Sequence, residues 1–492
     1  MKLAAVTSLF ASFGGGGYVA AAPGHGVGMR IPAHDRFVLG NGVTLIILPR
    51  RDVPLIAFNA VLRGGALGDL TEKPGVSSLV AGLMEKGAGD RGALEFAEAV
   101  EGVGGSFGAS ASTESIAVAG QFLARDQDLM LSLLADVLMR PQFDVDEFDK
   151  LRSRQIELIK AAKDSDPSEL LATYGRAFLF GAHPYGRPVI GSEASLASVT
   201  HRDVLDYYRA QVGADRLTLV FAGDVEPAKL KRAVSKAFGR WRKAAAPLAV
   251  LPEPAPLKGR RVLLIDSPGA VQTYFWTGNV GVNKRFPDRA ALDLVNTLYG
   301  GRFTSILNTE LRVKSGLTYG ARAGFTRSSV AGEFSISSFT QTENTIKAID
   351  LSLATLSRLH KDSVTPEMLE SARAYVLGQY PLNFETAAHW AAIMGELELY
   401  GLGPEYINDY APSLSSIGVA AARRVIDEAY PSVDNMAIVL IGDAAALRDE
   451  AKRYGPVTEM QITQPTFTVT PVAAATSTST ARPVKMAARA VR

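Results

Sequence analysis

The pattern of apolar and polar positions predicts that the chain opens with paired strands. Two apolar runs flank Asn41-Gly42 in FVLGNGVTLIILPR, residues 37–50, and Asn-Gly between such runs is a strong β-hairpin signal. LIAFNAVLRGG, residues 55–65, continues as a further strand. Helical periodicity dominates from residue 126 to residue 183, and the apolar strand DRLTLVFAGDV, residues 215–225, closes this part of the chain.

Between those strands lies GVSSLVAGLMEKGAG, residues 75–89. Its apolar residues recur at helical spacing and a glycine turn ends it, so the pattern predicts an amphipathic helix. Leu79, Val80, Leu83 and Met84 are sufficient to explain the stretch as an ordinary core helix. Taken alone, it points to packing and not to chemistry.

The closing strand has a counterpart near the end of the chain. Gly223-Asp224 corresponds to Gly442-Asp443 in DNMAIVLIGDA at an offset of 219 residues. Glu147 corresponds to Glu367 at an offset of 220 residues, and both stand at the head of a predicted helix. The shared order predicts a duplicated α+β module.

A proline-rich stretch separates the two copies. RKAAAPLAVLPEPAPLKG, residues 242–259, has little periodicity and predicts an extended linker. The predicted organisation is therefore a leader over residues 1–34, a first module over 35–241, the linker, a second module over 260–464, and a disordered tail over 465–492. The predicted fold class is α+β, with a mostly antiparallel sheet packed by helices in each module.

Composition and the N-terminus narrow the location and the partners. The leader carries Lys2, an apolar run and small residues, which is the pattern of a secretory signal, with a flexible leader as the alternative. We therefore expect a periplasmic or secreted protein, with a cytoplasmic location as the alternative. The net charge of +2 gives no basic field for nucleic acid, and no other apolar run reaches the ~20 residues that span a bilayer.

The sequence lacks several common catalytic motifs. It has no Cys, which removes thiolate nucleophiles and zinc–sulfur sites. No two of its six histidines lie three to five residues apart, so a helical HExxH zinc pair is excluded. In HPYGRPVIG, His183 is expected to stabilise a turn, and Gly300-Gly301 are expected to form a turn at the start of a helix.

Taken together, these stretches resemble the insulinase-like metallopeptidases, the family of pitrilysin, insulysin and the mitochondrial processing peptidase. The resemblance runs from about Asp35 to Thr463 and rests on five segments in the order that the family has them. These segments are FVLGNGVTLIILPR, LRGGALGD, RPQFDVDEF, HPYGRPVIG and LRVKSGLTYG. The resemblance implies repeated α+β domains, in agreement with the duplication.

The resemblance also gives the helix of residues 75–89 a second interpretation. In the family this helix carries an inverted zinc motif, HxxEH, in a glycine and lysine frame that Gly75 and Lys86-Gly87 match. The histidine positions fall on Ser78 and Gly82, and the position of the catalytic base falls on Ala81. The resemblance thus implies a metallopeptidase helix that has lost its zinc ligands.

A distal glutamate ligand completes the family's zinc site, and Glu157 lies near that spacing. One carboxylate cannot hold zinc, which takes three protein ligands and an open position. Without a base, no group can take the proton of the attacking water. We therefore expect no metal and no cofactor in this chain, a solvated Glu157, and no peptidase activity by the chain alone.

The resemblance assigns a different role to the second module. In the family, an arginine and a tyrosine seven residues apart contact the bound peptide near the scissile bond, and Arg312 and Tyr319 have that spacing. Such donors stabilise a developing oxyanion by roughly 3 kcal/mol each. The alternative is a helix-to-strand junction, in which Gly316 caps the helix, Arg312 lies beside the terminal carbonyls, and Tyr319 belongs to the core.

These observations lead to three functional hypotheses. The first is the zinc-free subunit of a heterodimeric metallopeptidase, whose partner carries HxxEH and zinc and whose substrates are peptides or unfolded polypeptides. The peptide would add as a strand to a sheet edge, for which GEFSISSF, residues 332–339, is the candidate. The alternatives are a structural subunit of a larger assembly and a peptide-binding protein without a proteolytic role.

Overall fold

The computed structural model describes residues 28–362 and 364–468. Most of the predicted leader and the tail from residue 469 onward lie outside the described residues. Within the described ranges, no helix has both the length and the apolar character that a membrane span requires.

The first module is built on a six-stranded sheet with the order β1-β2-β8-β3-β7-β6. Its strands, including the separate β4-β5 ribbon, are β1 (Asp35–Val38), β2 (Thr44–Pro49), β3 (Leu55–Arg63), β4 (Gly87–Ala88), β5 (Arg91–Gly92), β6 (Ser106–Ala111), β7 (Ser115–Leu123) and β8 (Leu217–Gly223). The predicted hairpin is confirmed, because β1 and β2 pair antiparallel around Asn41-Gly42, and Gly42 has a φ of 101°. Only β2 and β8 pair in parallel within this sheet, as far as the structure describes the chain.

Helices pack against this sheet, and some of them begin at polar caps. They are α1 (Val76–Met84), α2 (Ala93–Glu101), α3 (Gln127–Met139), α4 (Val145–Ser165), α5 (Leu171–Phe180), α6 (Glu193–Ser198), α7 (His201–Gln211) and α8 (Pro227–Phe238). Asp144 starts α4 by accepting hydrogen bonds from the Asp146 and Glu147 amides. The buried Asp69 carboxylate does the same for α1, because it accepts from the amides of Gly75 and Ser77 at 2.9 and 2.8 Å.

The second module repeats this plan. Its strands are β9 (Arg261–Asp266), β10 (Gln272–Gly281), β11 (Ala321–Arg327), β12 (Gly332–Gln341), β13 (Ala437–Gly442) and β14 (Val457–Gln461). Its helices are α9 (Arg289–Tyr299), α10 (Ile306–Asn308), α11 (Thr345–Lys361), α12 (Pro366–Gln379), α13 (Ala387–Tyr400), α14 (Glu405–Asn408), α15 (Tyr410–Ser416), α16 (Val419–Ala429) and α17 (Ala444–Ala451). A π-helical turn over Thr309–Lys314 continues α10.

The two sheets have equivalent strand orders. The second sheet runs β14-β9-β13-β10-β12-β11, and its β9-β13 pair is parallel like the β2-β8 pair of the first. The outermost strands differ, since β1 runs antiparallel to β2 whereas β14 runs parallel to β9. The predicted α+β fold class, with two repeated and mostly antiparallel sheets packed by helices, is confirmed.

Each module also lends one helix to the sheet of the other. Helix α5 of the first module packs on β10 and β13, and α13 of the second module packs on β3 and β8. Ile46 and Val220 of the first sheet therefore share a buried cluster with Trp390 and Met394 of α13. Both faces of the central strands are covered, which explains why strands such as β2 and β8 are almost continuously apolar.

Polar contacts reinforce the junction between the modules. The buried Glu114 carboxylate accepts a hydrogen bond from the Tyr185 hydroxyl at 2.6 Å and another from the Ser329 amide at 3.1 Å. His183 stabilises the turn before Tyr185, as predicted, by accepting from the Tyr185 amide at 3.1 Å. Burial and the bond to Glu114 raise the pKa of Tyr185, which keeps the phenol a neutral donor.

Part of the predicted tail is packed onto the first module. Phe467 is buried, with its ring centroid 4.8 Å from that of Tyr174. The Lys163 ammonium bonds to the Glu193 carboxylate at 2.7 Å and to the Gln464 carbonyl at 2.5 Å. Residues 465–468 thus extend the structure beyond the boundary placed at residue 464, because an aromatic residue and a buried cation anchor them.

The exchange of helices predicts that small changes at two glycines destabilise the whole chain. A Cβ on Gly175 of α5 would lie 2.6 Å from the Trp276 ring, and one on Gly395 of α13 would lie 2.9 Å from a Val61 methyl. Gly175→Ala and Gly395→Ala should each lower the free energy of unfolding by about 1–3 kcal/mol through overpacking. Urea denaturation followed by circular dichroism measures the change.

Gly378→Ala is the matched control. Gly378 is also helical, in α12, but an added Cβ would meet nothing within 4 Å. This substitution should leave stability unchanged or raise it by up to about 1 kcal/mol, because alanine loses less backbone entropy than glycine. Equal behaviour of all three variants would contradict tight packing of the exchanged helices.

Candidate functional site

The first candidate site is the cleft between α1 and α4, where the degenerate ligand positions lie. The Gln155 amide of α4 faces Ser78 of α1, with the Nε2 atom 3.4 Å from the Ser78 hydroxyl. One turn along, a Cβ on Gly82 would lie 2.9 Å from a Leu151 methyl, so Leu151 fills the space beside that glycine. Ala81 is buried in the core. The two helices therefore pack on each other, and a larger side chain at residue 82 would have to displace the Leu151 side chain.

Glu157 lies outside this cleft. Its side chain is exposed on α4 and pairs with Lys160 at 2.8 Å. The residue of α4 that approaches Ser78 is Gln155, two positions earlier, and an amide is a poor zinc ligand. Within residues 28–362 and 364–468, no group of three His, Cys, Asp or Glu side chains is arranged to hold a metal ion. The donor set present here does not fit zinc.

The second candidate site contains Arg312 and Tyr319. The helix predicted before Gly316 consists of the short α10 and the π-helical turn that follows it and carries Arg312. Gly316 ends this turn as predicted, with a φ of 64° and its amide bonded to the Arg312 carbonyl at 3.1 Å. The chain then reverses, which brings Tyr319 back beside Arg312.

The structure brings these two residues into direct contact. The Arg312 guanidinium lies 4.6 Å from the Tyr319 ring centroid and 4.7 Å from that of Phe303. Tyr319 is 76% exposed and Phe303 is 60% exposed, so neither ring belongs to the core. Across the part of the chain that the structure describes, Arg312 has no carboxylate within 4.0 Å. Two aromatic faces orient the cation while leaving its hydrogen-bond donors available.

Arg312 and Tyr319 line a groove of about 630 Å³ in the second module. Its walls come from α9, α12, the start of β11 and the loop after α9. Asn308 braces the groove, because its amide donates to the Phe303 carbonyl at 2.7 Å and its oxygen accepts from the Ala321 amide at 3.1 Å. Gly300-Gly301 end α9 and do not start a helix, which corrects the predicted turn, because both amides bond to the Asn296 carbonyl.

A partly buried ion pair lies at one end of the groove. Arg327 pairs with Asp293 at 2.8 Å, and the Tyr410 hydroxyl donates to the same carboxylate at 3.0 Å. Burial acts to lower the pKa of Arg327, but the charge of Asp293, the hydrogen bond to it and the nearby Tyr406 and Tyr410 together raise that pKa. Burial also raises the pKa of Tyr380, another lining residue, to about 12. At neutral pH the ion pair is therefore formed, and the Tyr380 phenol is a neutral hydrogen-bond donor.

The structure corrects the predicted edge strand. GEFSISSF lies in β12, which has β11 on one side and β10 on the other. Alternating serines and apolar residues indicate two different faces, whereas edge position depends on the order of backbone pairing. The edge strand next to β12 is β11, and the equivalent edge of the first sheet is β6, which pairs with β7.

The chain itself covers some backbone groups of these edges. The Ala323 amide of β11 donates to the Gly300 carbonyl at 3.2 Å. In the first module the Ala109 amide of β6 donates to the Glu85 carboxyl, whose pKa is raised by burial. On each edge strand, the amide two residues further along also points away from the sheet. Another strand could pair with the edge at these amides.

Sequence reasoning missed three residues that shape these sites. Phe303 orients Arg312, Asn308 braces the groove, and Gln155 occupies the place where a distal ligand would face α1. Phe303 and Asn308 lie within ten residues of Arg312, so proximity was the one available signal. Gln155 has no sequence signal, because its importance depends on which side of α4 faces α1.

Comparisons with known proteins agree with this architecture. Residues 57–193 match the family described as Insulinase (Peptidase family M16), and residues 198–376 match the Peptidase M16 inactive domain. An uncharacterized zinc protease of Mycobacterium leprae is 26% identical over 332 residues, covering 66% of this chain and 74% of its own. The non-peptidase homolog YmxG of Helicobacter pylori is 23% identical over 336 residues, covering 68% and 77%. The crystal structure of a peptidase M16 inactive domain from Pseudomonas fluorescens has a TM-score of 0.78 at 22% identity, covering 84% and 98%.

The closed cleft predicts that restoring the motif alone does not restore a zinc site. In the variant Ser78→His, Ala81→Glu, Gly82→His, the side chain at residue 82 would collide with Leu151 and no distal carboxylate would face it. We expect less than one zinc per ten chains after desalting, on the order of background for a site lacking its third ligand. Metal content by plasma mass spectrometry measures it.

Adding Leu151→Ala and Gln155→Glu to the same variant should open the cleft and supply the third ligand. We expect this variant to retain about one zinc per chain. Stoichiometric zinc in the first variant would show that Leu151 does not close the cleft.

Proposed function

The chain belongs to the insulinase family, peptidase family M16, and from this premise we propose that it is the zinc-free subunit of a two-chain metallopeptidase. Its partner would be a family member that carries HxxEH and zinc. This chain would help to enclose and orient a peptide and would present Arg312 and Tyr319 to the active site of the partner. Its own substrates would be peptides or unfolded polypeptides.

The arrangement of Arg312 carries this proposal. Its guanidinium lies between the exposed rings of Phe303 and Tyr319, at an open groove, without a carboxylate partner in the described chain. An arginine with a purely structural role is usually paired with an anion or with helix-terminal carbonyls. Oriented donors that remain free are suited to a carbonyl oxygen as negative charge develops on it.

The closed cleft of the first module supports the division of labour between two chains. Leu151 fills the space beside Gly82, and Gln155 faces Ser78, so the described residues of this cleft offer neither a base nor a ligand set for activating water. A complete active site would need its base and its zinc ligands from another chain. The open groove of this chain would then face the zinc helix of the partner.

Peptide binding would use the sheet edges beside the groove. The Ala321 and Ala323 amides of β11 are already bonded within the chain, so pairing would begin at the next outward amide, that of Phe325. Backbone pairing makes few demands on sequence. Side chains that line the groove would then supply any selectivity.

A second candidate function is peptide binding without proteolysis, as a binding protein or as a structural subunit. The relative from Helicobacter pylori that is named a non-peptidase homolog favours it. This second function would use the same groove and the same edge strands. The two candidates differ in whether a zinc-bearing partner becomes active in the presence of this chain.

Co-expression with an HxxEH-bearing family member tests the first candidate. We expect an active complex in which Arg312→Ala and Tyr319→Phe each lower kcat by about 100-fold, as removal of one oxyanion donor does. Arg202→Ala is the control, because Arg202 is an exposed arginine on α7 that pairs with Asp206, far along the chain from the groove. Peptide cleavage by the purified complexes is the measurement.

The isolated chain should show neither bound zinc nor cleavage. Cleavage by the isolated chain that a chelator abolishes would contradict the proposal. Full activity of both substituted complexes would remove the role in catalysis. Failure of every zinc-bearing relative to form an active complex would leave the binding function as the better account.

A further inference from the structure

The groove of the second module occupies the position that the closed cleft has in the first. The ends of α1 and α9, at Met84 and Tyr299, correspond at an offset of 215 residues. At that offset, the three degenerate ligand positions of α1 correspond to three polar residues of α9 that line the groove: Asp293, Asn296 and Thr297. The internal repeat therefore places a polar and open groove where the first module has a packed interface.

The charges along this groove are mostly positive. Arg302, Arg312 and Arg322 line it, and Asp293 is the one carboxylate among its described lining residues. Asp293 is already neutralised by Arg327. The net charge of the whole chain is only +2, so this cationic excess is a local feature and not a consequence of a basic protein.

No carboxylate of the described chain neutralises the other two cations of this groove, Arg302 and Arg322. Arg302 donates from its two terminal nitrogens to the Ser371 carbonyl at 2.9 Å and the Ser371 hydroxyl at 3.0 Å. Its Nε atom is buried and has no partner among the described residues. Arg322 is exposed on the edge strand β11, and no carboxylate of the described chain lies within 4.0 Å of it. A guanidinium without an anionic partner keeps its charge available to an anionic ligand.

We propose that this groove selects peptides that carry a carboxylate, with Arg302 and Arg322 as the specificity-determining residues. An acidic side chain of an extended peptide would lie between them, while its backbone passes Arg312 and Tyr319. Guanidinium groups suit this task because their fork of donors matches a carboxylate. The inference rests on the proposed function in taking a peptide as the occupant of the groove.

Binding to the isolated full-length chain tests this selectivity without the partner. The probes are ten-residue peptides, acetylated and amidated, that differ in one central Glu, Gln or Lys. By calorimetry in 50 mM salt, we expect the Glu peptide to bind about 10-fold more tightly than the Gln peptide, and this ratio to fall to about 3-fold in 500 mM salt through screening. A Gln peptide with a free carboxyl end shows whether a terminal carboxylate serves equally well.

Substitutions at Arg322 test whether the preference for the Glu peptide arises in the groove. Arg322→Glu should reverse the order in favour of the Lys peptide, and Arg322→Lys should retain the preference for Glu. Arg424→Glu, at an exposed arginine of α16, is the matched control and should leave the order unchanged. Arg302→Gln, whose amide can still bond to Ser371, should reduce the Glu-to-Gln ratio to about 2-fold, because one of two cations remains.

The outcomes separate this inference from the proposed function. Equal binding of the three amidated peptides, or no binding of any of them, overturns the selectivity even if the co-expressed complex cleaves peptides. A preference for Glu that Arg322→Glu leaves intact overturns the assignment to this groove. A preference that follows Arg322, in a chain that no partner renders active, supports the selectivity and contradicts only the proteolytic role.

Discussion

Each sheet of this protein is covered on one face by a helix that the other module supplies, and the rest of the structure depends on this exchange. Helix α5 covers β10 and β13, and α13 covers β3 and β8. The close approach of Gly175 to Trp276 and of Gly395 to Val61 leaves little freedom between the modules. Because a strand buried on both faces can be apolar throughout, the exchange also explains the composition of the central strands. The groove with Arg312 lies over the second module's own core, on the sheet whose other face α5 covers.

The same repeated plan produces two opposite sites. In the first module Leu151 and Gln155 of α4 meet α1 directly, so the helices pack and the cleft disappears. In the second module α9 and α12 also pack against each other, but polar residues of α9 and Tyr375 of α12 line an open groove beside that contact. Small residues at Ser78 and Gly82 allow this close packing of α1 and α4. The cation held by two rings, Arg312, lies in the second module.

Much of the fold could be predicted because local patterns carry it. The hairpin around Asn41-Gly42 and the repeated Gly-Asp strand ends follow from turn chemistry and periodicity. The edge strand was predicted wrongly, because alternation in β12 reports on faces and not on neighbours. Among the site residues, the spacing of Arg312 and Tyr319 was visible, whereas the contribution of Phe303 was not.

By itself, the sequence determined the α+β class, the duplication, and the absence of histidine and glutamate at the motif positions of α1. These are properties of residue type and order along the chain. Only the tertiary structure decided that α5 and α13 exchange sheets, that β11 is the edge strand, and that Leu151 closes one cleft while the other stays open. Those features depend on which faces of elements far apart in the sequence pack together. A helix from either module can cover the same apolar strand, so the sequence of the strand does not identify the helix that covers it. The orientation of Arg312 belongs to this second group, because a π-helical turn and a reversal at Gly316 bring Tyr319 against it.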